Sequence, residues 1–147
     1  MSRENVEIVR RAWEVVIEGI SEGNLAAVFD EGLFAPASTF TPPQEVPGSK
    51  TYVGREGMIE FLRAWTEAFL DLRIWPEKII DAGNDHVVAV MRQSAKGRGS
   101  GAPVEVRFGS VHTLEGGQII DQRDYVDPAE ALEAVGLSEQ DARAEGS

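Results

Sequence analysis

The first half of the chain carries hydrophobic residues at helical spacing. Between positions 6 and 20 the apolar residues follow one another mainly at steps of three and four, while most other positions are Glu or Arg. This pattern predicts an amphipathic helix that ends near Gly19 or Gly23, followed by a short second helix. The same spacing later predicts a third helix from about Gly54, with the stripe Met58, Phe61, Leu62, Trp65, Ala68 and Phe69.

The second half of the chain has the alternation and turn residues of a sheet. Residues 72–80 are strand-like but are interrupted by Pro76. Because proline has no N–H to donate, this position indicates an edge strand or a bulge. Residues 86–94 are apolar on both sides, which is typical of a central strand. Residues 111–126 predict a hairpin around a Gly-Gly turn.

The remaining segments separate or end these elements. Residues 35–53 contain four prolines and predict a long loop. A last helix is predicted between the N-cap Asp127 and Gly136. We expect residues 1–137 to form a single domain and residues 138–147 to be a frayed polar tail. The predicted fold is α+β: a curved antiparallel or mixed sheet with about three N-terminal helices on its concave face and a short C-terminal helix.

Composition narrows the classes of function. The 147 residues include 14 Lys and Arg against 25 Asp and Glu, a formal net charge of −11. This excess of negative charge opposes binding to nucleic acid or to an anionic membrane. The chain has no cysteine and no apolar run of the length that spans a membrane. We therefore expect a cytoplasmic protein that binds neither nucleic acid nor membrane.

Several short motifs follow one another in order: VEIVRRAW, EGNL, YVGREG, DAGN, GQI and YVD, from position 6 to position 127. In this order they resemble the SnoaL-like branch of the nuclear transport factor 2-like superfamily, over about residues 4–137. The resemblance implies a cone-shaped α+β barrel, commonly a homodimer through the sheet. The superfamily includes polyketide cyclases, ketosteroid isomerases, scytalone dehydratase, limonene epoxide hydrolase and proteins without demonstrated chemistry. The fold alone therefore does not give the function.

Asp124 is the candidate general base. It lies late in the predicted last strand, where SnoaL-like cyclases similarly carry a strand Asp in that role. A carboxylate in an apolar pocket can move a proton beside a carbonyl, because burial raises its pKa. Its neighbours depend on the strand register. Regular pairing around the glycine turn puts it on one face with Arg107 and Gln122, whereas a single bulge lets it join Ser110 and His112.

Other residues complete the expected site. Arg107 or His112 is expected to orient the substrate or to act as the electrophilic partner of Asp124. SnoaL-like cyclases typically carry a His near the position of Ser110, so this chain departs from the cyclase pattern there. Tyr52 is expected near the pocket mouth, because the corresponding loop lies there in relatives. The candidate ligand-binding residues are Tyr52, Ser110, Trp65, Phe69, Trp13, Gln122 and Tyr125.

Each of these residues also has a purely structural interpretation. Asp124 can be a surface carboxylate or an ion-pair partner, and His112 a buried histidine whose ring is satisfied by a neighbour. Trp13 and Trp65 can belong to the core, and Tyr52 can pack beneath its loop. The two histidines are not spaced as a ligand pair, so no metal and no cofactor are expected.

Two functions remain open at this point. The first is a cofactor-independent isomerase, cyclase, dehydratase or hydrolase that acts on a small hydrophobic, oxygenated molecule. The second is a non-catalytic ligand-binding or dimerisation module. A cavity that accepts a ring system, with Asp124 in its wall, favours the first. A cavity for only a few water molecules, with Asp124 pointing to solvent, favours the second.

Overall fold

The computed structural model describes residues 2–138 and residue 140. The helices are α1 (Ser2–Glu22), a 3₁₀ helix (Leu25–Phe29), α2 (Gly54–Ala68) and α3 (Pro128–Ala134). The strands are β1 (Phe34–Thr41), β2 (Tyr52–Val53), β3 (Phe69–Gly83), β4 (His86–Gly97), β5 (Pro103–Glu115) and β6 (Gln118–Tyr125). Most of the predicted tail lies outside the described residues. No helix within them is long and apolar enough to cross a membrane.

All six strands form one mixed sheet in the order β2-β1-β6-β5-β4-β3. β1 runs parallel to β6, and the other neighbouring strands are antiparallel. The sheet ends at β2 on one side and at β3 on the other, so it is not closed into a barrel. The predicted α+β class with a mixed sheet is confirmed.

The two faces of the sheet are covered by different helices. On β4, Val87, Ala89 and Met91 pack into the larger core under α1 and α2. Val88 and Val90 pack into a second cluster that includes residues of α3. Both faces of β4 are therefore buried, as the continuous apolar run predicted. We call the side under α1 and α2 the inner face and the opposite side the outer face.

The prediction of one loop over residues 35–53 is wrong at both ends, because β1 and β2 occupy them. The pairing of β1 with β6 jumps from Phe34 to Thr39, which leaves an irregular stretch between them. Pro36 lies in that stretch, where its missing N–H removes no regular ladder bond. The inner-facing Phe34 and Phe40 are buried in the larger core.

β3 is one long strand at the edge of the sheet. Its pairing with β4 shifts between Pro76 and Lys78, so the proline lies at an edge and beside a bulge. Phe69 does not extend the predicted third helix. Its backbone is extended (φ −132°, ψ 153°) and it begins β3, so the helix ends at Ala68.

The last helix begins as the sequence predicted. The Asp127 carboxylate accepts the backbone N–H of Ala129 at 2.9 Å, and Pro128 follows the cap. The helix lies close against β5 at Gly109. A Cβ atom at that glycine would lie 2.6 Å from the Cβ of Ala131. Only a residue without a side chain allows this approach.

Candidate functional site

A bulge in β6 decides which side chains reach the inner face. Leu114 pairs with Ile119, but Thr113 pairs with Asp121, so Ile120 is an extra residue in β6. From there Gln122 lies opposite His112 and Asp124 lies opposite Ser110. The structure therefore has the bulged register of the two alternatives, and these four polar side chains share the inner face.

The carboxylate of Asp124 is held by one of its two oxygens. The Ser110 hydroxyl donates to Oδ1 at 2.6 Å, and the Gln122 amide donates to the same oxygen at 3.1 Å. Among the described residues, no hydrogen bond reaches Oδ2. The two bonds fix the orientation of the carboxyl group, which leaves Oδ2 available to exchange a proton.

Asp124 keeps some solvent exposure as a residue, but its carboxyl group is enclosed by protein. Burial raises the pKa of Asp124 to about 6, although the hydrogen bonds from Ser110 and Gln122 act in the opposite direction. The group is therefore mainly ionised at neutral pH and is still a much stronger base than an exposed carboxylate.

His112 is buried and neutral. Its Nδ1 lies 3.2 Å from the Val87 carbonyl oxygen, and a carbonyl can only accept, so we assign the ring proton to Nδ1. Burial lowers the pKa of His112 to about 4, against the smaller effect of its backbone hydrogen bonds. At neutral pH the ring offers an unprotonated Nε2, which is an acceptor rather than an acid.

These polar groups lie in the wall of an apolar cavity between α1, α2 and the sheet. Its free volume is about 20 Å³, which holds one or two water molecules. Trp13 lines it from α1 and Trp65 from α2. The cavity is lined by Ala12, Trp13, Val16, Phe34, Phe40, Met58, Phe61, Leu62, Trp65, His112, Gln122 and Asp124. In this described lining there is no Lys or Arg, so Asp124 is its only charged residue.

The two tryptophans of the cavity differ in their hydrogen bonds. The Trp65 indole N–H donates to the Gln93 side-chain oxygen at 3.1 Å. The Trp13 indole N–H is buried and has no partner within the described residues. Trp13 packs edge-on against His112 and also contacts Phe108, with ring centroids 6.1 and 6.2 Å apart.

Arg107 is not brought to Asp124. It lies on the outer face, where its guanidinium donates to both oxygens of Glu77 at 3.1 and 2.8 Å. Arg92 donates to the same carboxylate at 2.9 Å. The hydrogen bond from Arg107, and then that from Arg92, lower the pKa of Glu77. The bulge that turns Asp124 inward is the physical reason that the pairing expected from a regular register does not form.

Three further candidates lie outside the cavity wall. Tyr52 packs against Phe40 and Phe61, with ring centroids 6.4 and 5.5 Å away, and so stands behind two lining residues. Phe69 faces a separate groove beside the ends of α1 and α2. Tyr125 packs against the cluster under α3 on the outer face. Ser110 touches the site through its hydrogen bond to Asp124 rather than as a lining residue.

Several lining residues could not be recognised from the sequence, because Met58 and Leu62 belong to a helical stripe and Phe40 lies in the predicted loop over residues 35–53. Phe34, Phe40, Met58 and Leu62 form much of the apolar wall. The helical spacing of Met58 and Leu62 shows that they face inward, but it does not separate a cavity wall from a filled core. Among the described residues, no group of three or more His, Cys, Asp or Glu side chains is arranged to hold a metal ion.

Comparisons with known proteins agree with this architecture. A model of the SnoaL-like domain family matches residues 11–122, which ends just before Asp124. No curated protein matches the chain. A protein from Jannaschia sp. CCS1 assigned as a SnoaL-like polyketide cyclase is 25% identical, with a TM-score of 0.71 over 90% of this chain and 92% of that one.

Two other solved structures share the fold at lower identity. An NTF2-like protein of unknown function from Burkholderia pseudomallei K96243 is 20% identical, with a TM-score of 0.69 over 91% of this chain and 98% of that one. A protein with a ketosteroid isomerase-like fold from Catenulispora acidiphila DSM 44928, solved in complex with trimethylamine, is 20% identical, with a TM-score of 0.65 over 88% and 95%. With the family match covering most of its length, this chain belongs to the SnoaL-like domain family.

Proposed function

We propose that the cavity binds a small, hydrophobic, oxygenated molecule and that Asp124 transfers a proton to and from it as a general base. The reaction would be an isomerisation, cyclisation, dehydration or hydrolysis that needs no cofactor. The single observation that carries the proposal is the arrangement of Asp124. Its carboxyl group is fixed through Oδ1, has a raised pKa and lies in an apolar cavity wall.

The other polar groups near Asp124 have supporting roles in this proposal. Ser110 and Gln122 are positioning residues, since they hold the carboxylate through one oxygen. His112 stays neutral at the working pH, so its contribution is an acceptor for a ligand hydroxyl rather than a donated proton. A similar fold has been solved with the small molecule trimethylamine, which supports a small ligand for this one.

Deuterium exchange tests proton transfer without knowledge of the natural substrate. Cyclopentanone, cyclohexanone and acetylacetone would be incubated with the protein in deuterium oxide, and loss of the proton signal beside the carbonyl followed by NMR. We expect the wild type to accelerate exchange, and Asp124→Asn to lose about a hundredfold or more of that acceleration. Asp121→Asn is the matched control, because Asp121 lies on the same strand and bonds Thr39 instead. Equal exchange by wild type and Asp124→Asn would contradict the proposal.

A second candidate function is binding without turnover. The observation that favours it is the free volume of about 20 Å³, which is smaller than any ring-containing substrate. A larger ligand requires the aromatic wall to move. Saturation-transfer NMR on the same compounds separates the two functions, since binding with no accelerated exchange supports the second.

The assembly is a further part of the proposal. We infer a homodimer through the outer face of the sheet, beside the part that α3 covers. Trp75 is on this face and is 41% exposed, and a dimer interface there would bury this large apolar side chain. The net charge of −11 supports partners other than nucleic acid or an anionic membrane. Sedimentation of the wild type and of Trp75→Glu tests the dimer: a monomeric wild type contradicts it.

A further inference from the structure

The indole N–H of Trp13 lacks a hydrogen-bond partner within the described part of the chain, although it is buried. Trp13 is only 5% exposed, and its side chain forms part of the cavity wall. The contacts with Phe108 and His112 hold the ring in this position. Buried donors in native proteins almost always have an acceptor, which is either a protein group or an ordered water. A ligand in the cavity would supply the acceptor that this donor lacks.

The other donors around the cavity already have acceptors. The Trp65 indole N–H is bonded to Gln93, and the Gln122 amide is bonded to Asp124. The Nδ1 proton of His112 points to a backbone carbonyl of β4. Among the described side chains of the cavity wall, the indole of Trp13 is thus the donor group without any acceptor.

The charges of the lining restrict the ligand further. An anionic ligand would lie beside the Asp124 carboxylate with no Lys or Arg in the described lining to compensate it. A cationic ligand would pair with Asp124 but would leave the Trp13 donor unsatisfied. A neutral carbonyl compound, admitted once the aromatic wall has moved, offers a partner to both groups, because its oxygen can accept from the indole and a C–H beside the carbonyl can give its proton to Asp124.

We propose that Trp13 donates its indole N–H to the ligand's oxygen and that the ligand is a neutral carbonyl compound. This inference rests on the proposed function of the cavity. When Asp124 removes a proton beside the carbonyl, the C–H electron pair forms a C=C bond and the carbonyl π pair moves to oxygen. The indole N–H stabilises the resulting enolate oxygen. The proton held on Oδ2 then returns to carbon, so the step consumes no oxidant or cofactor.

The indole proton itself reports on this contact. The protein contains three tryptophans, and their indole signals in a nitrogen–proton correlation spectrum can be assigned with Trp13→Phe, Trp65→Phe and Trp75→Phe. We expect cyclohexanone to move the Trp13 indole proton downfield, while its hydrocarbon isostere methylenecyclohexane does not. The Trp65 indole proton, already bonded to Gln93, should respond alike to both compounds.

Binding constants test the ligand class. Trp13→Phe should raise the dissociation constant of cyclohexanone about tenfold. Methylenecyclohexane has no oxygen, so its dissociation constant should change by the same factor in Trp13→Phe and in Trp65→Phe. Cyclohexylamine and cyclohexanecarboxylate should bind more weakly than the ketone. The proposal is overturned if ketone and hydrocarbon shift the Trp13 signal alike, if the amine or the carboxylate binds more tightly, or if no ketone binds.

These measurements separate the two proposals. Spectra of Asp124→Asn contain the Trp13 signal but lack the base. A ketone-specific shift there, with no exchange activity in the wild type, would support Trp13 as donor and contradict catalysis by Asp124. Accelerated exchange in the wild type without a Trp13 shift would support the proposed function and overturn the role of Trp13.

Discussion

The negative charge of Asp124 is expected to reduce the stability of the folded protein, and removing it is expected to restore that stability. Burial raises the pKa of Asp124 from its ordinary value of 3.8 to about 6. At about 1.36 kcal/mol per pH unit, this difference corresponds to about 3 kcal/mol. Because the residue keeps some solvent exposure, we treat this figure as an upper value.

The direction of the effect follows from proton binding. Below about pH 4 the carboxyl group is protonated in both states and carries no penalty. Between about pH 4 and about pH 6 the unfolded chain releases the proton while the folded chain keeps it, so the free energy of unfolding falls as the pH rises. Asn cannot ionise, and its amide oxygen can still accept from Ser110 and Gln122. The free energy of unfolding of Asp124→Asn should therefore not show this fall with pH.

Urea denaturation of both proteins across this pH range measures the effect. Every other titrating group is common to the two proteins, so their difference isolates Asp124. We expect the variant to gain about 2 to 3 kcal/mol on the wild type between about pH 4 and about pH 7. The corresponding gain in melting temperature at neutral pH is about 5 to 10 °C. A difference that stays constant with pH, or a wild type that gains on the variant, would refute the reasoning.

Three further predictions concern the site and its supports. In a pH–rate profile, the rate of deuterium exchange should rise with pH through about 6, as Asp124 ionises. The profile should show no second change near pH 6.5, the ordinary pKa of histidine, because burial lowers the pKa of His112 to about 4. Gly109→Ala should lower the free energy of unfolding, measured by urea titration, by about 1 to 3 kcal/mol, because the new methyl group would meet Ala131. Adding Ala131→Gly should recover part of this loss. Glu77→Gln should lower the free energy of unfolding by less than about 1 kcal/mol, because the two arginine partners of Glu77 are exposed. The difference should become smaller in high salt.

Elements with strong local signals could be predicted from the sequence. Residues close together in the sequence determine three of these elements: the cap at Asp127, the glycine turn and the apolar strand β4. A local pattern is therefore enough to predict them. Pro76 indicated an edge strand or a bulge, and the structure has both. β1 was not predicted because Pro36 within it and Pro42 and Pro43 after it favour a loop, whereas its parallel pairing with β6 depends on residues about eighty positions away.

The candidate site could be predicted only in part. Asp124 was identified as the candidate base, but its position on the inner face depends on a one-residue bulge at Ile120 that no local pattern specifies. The same bulge turns Asp124 away from Arg107, so the pair expected from a regular register does not form. The unpartnered indole of Trp13 could not be found from sequence either, because helical spacing shows which side faces inward and not which hydrogen bonds are missing.

The extra residue in β6 has a consequence for comparing relatives. Because Ile120 has no partner in β5, β6 has one residue more than β5 between the glycine turn and the segment that carries the carboxylate. A relative without Ile120 would keep the pairings from Asp121 onward and the same inward acid, although its hairpin is one residue shorter. A relative that lost a residue after the bulge would turn that acid outward. Alignments counted from the turn would therefore misplace the position of this carboxylate by one residue, whereas alignments anchored on β5 would not.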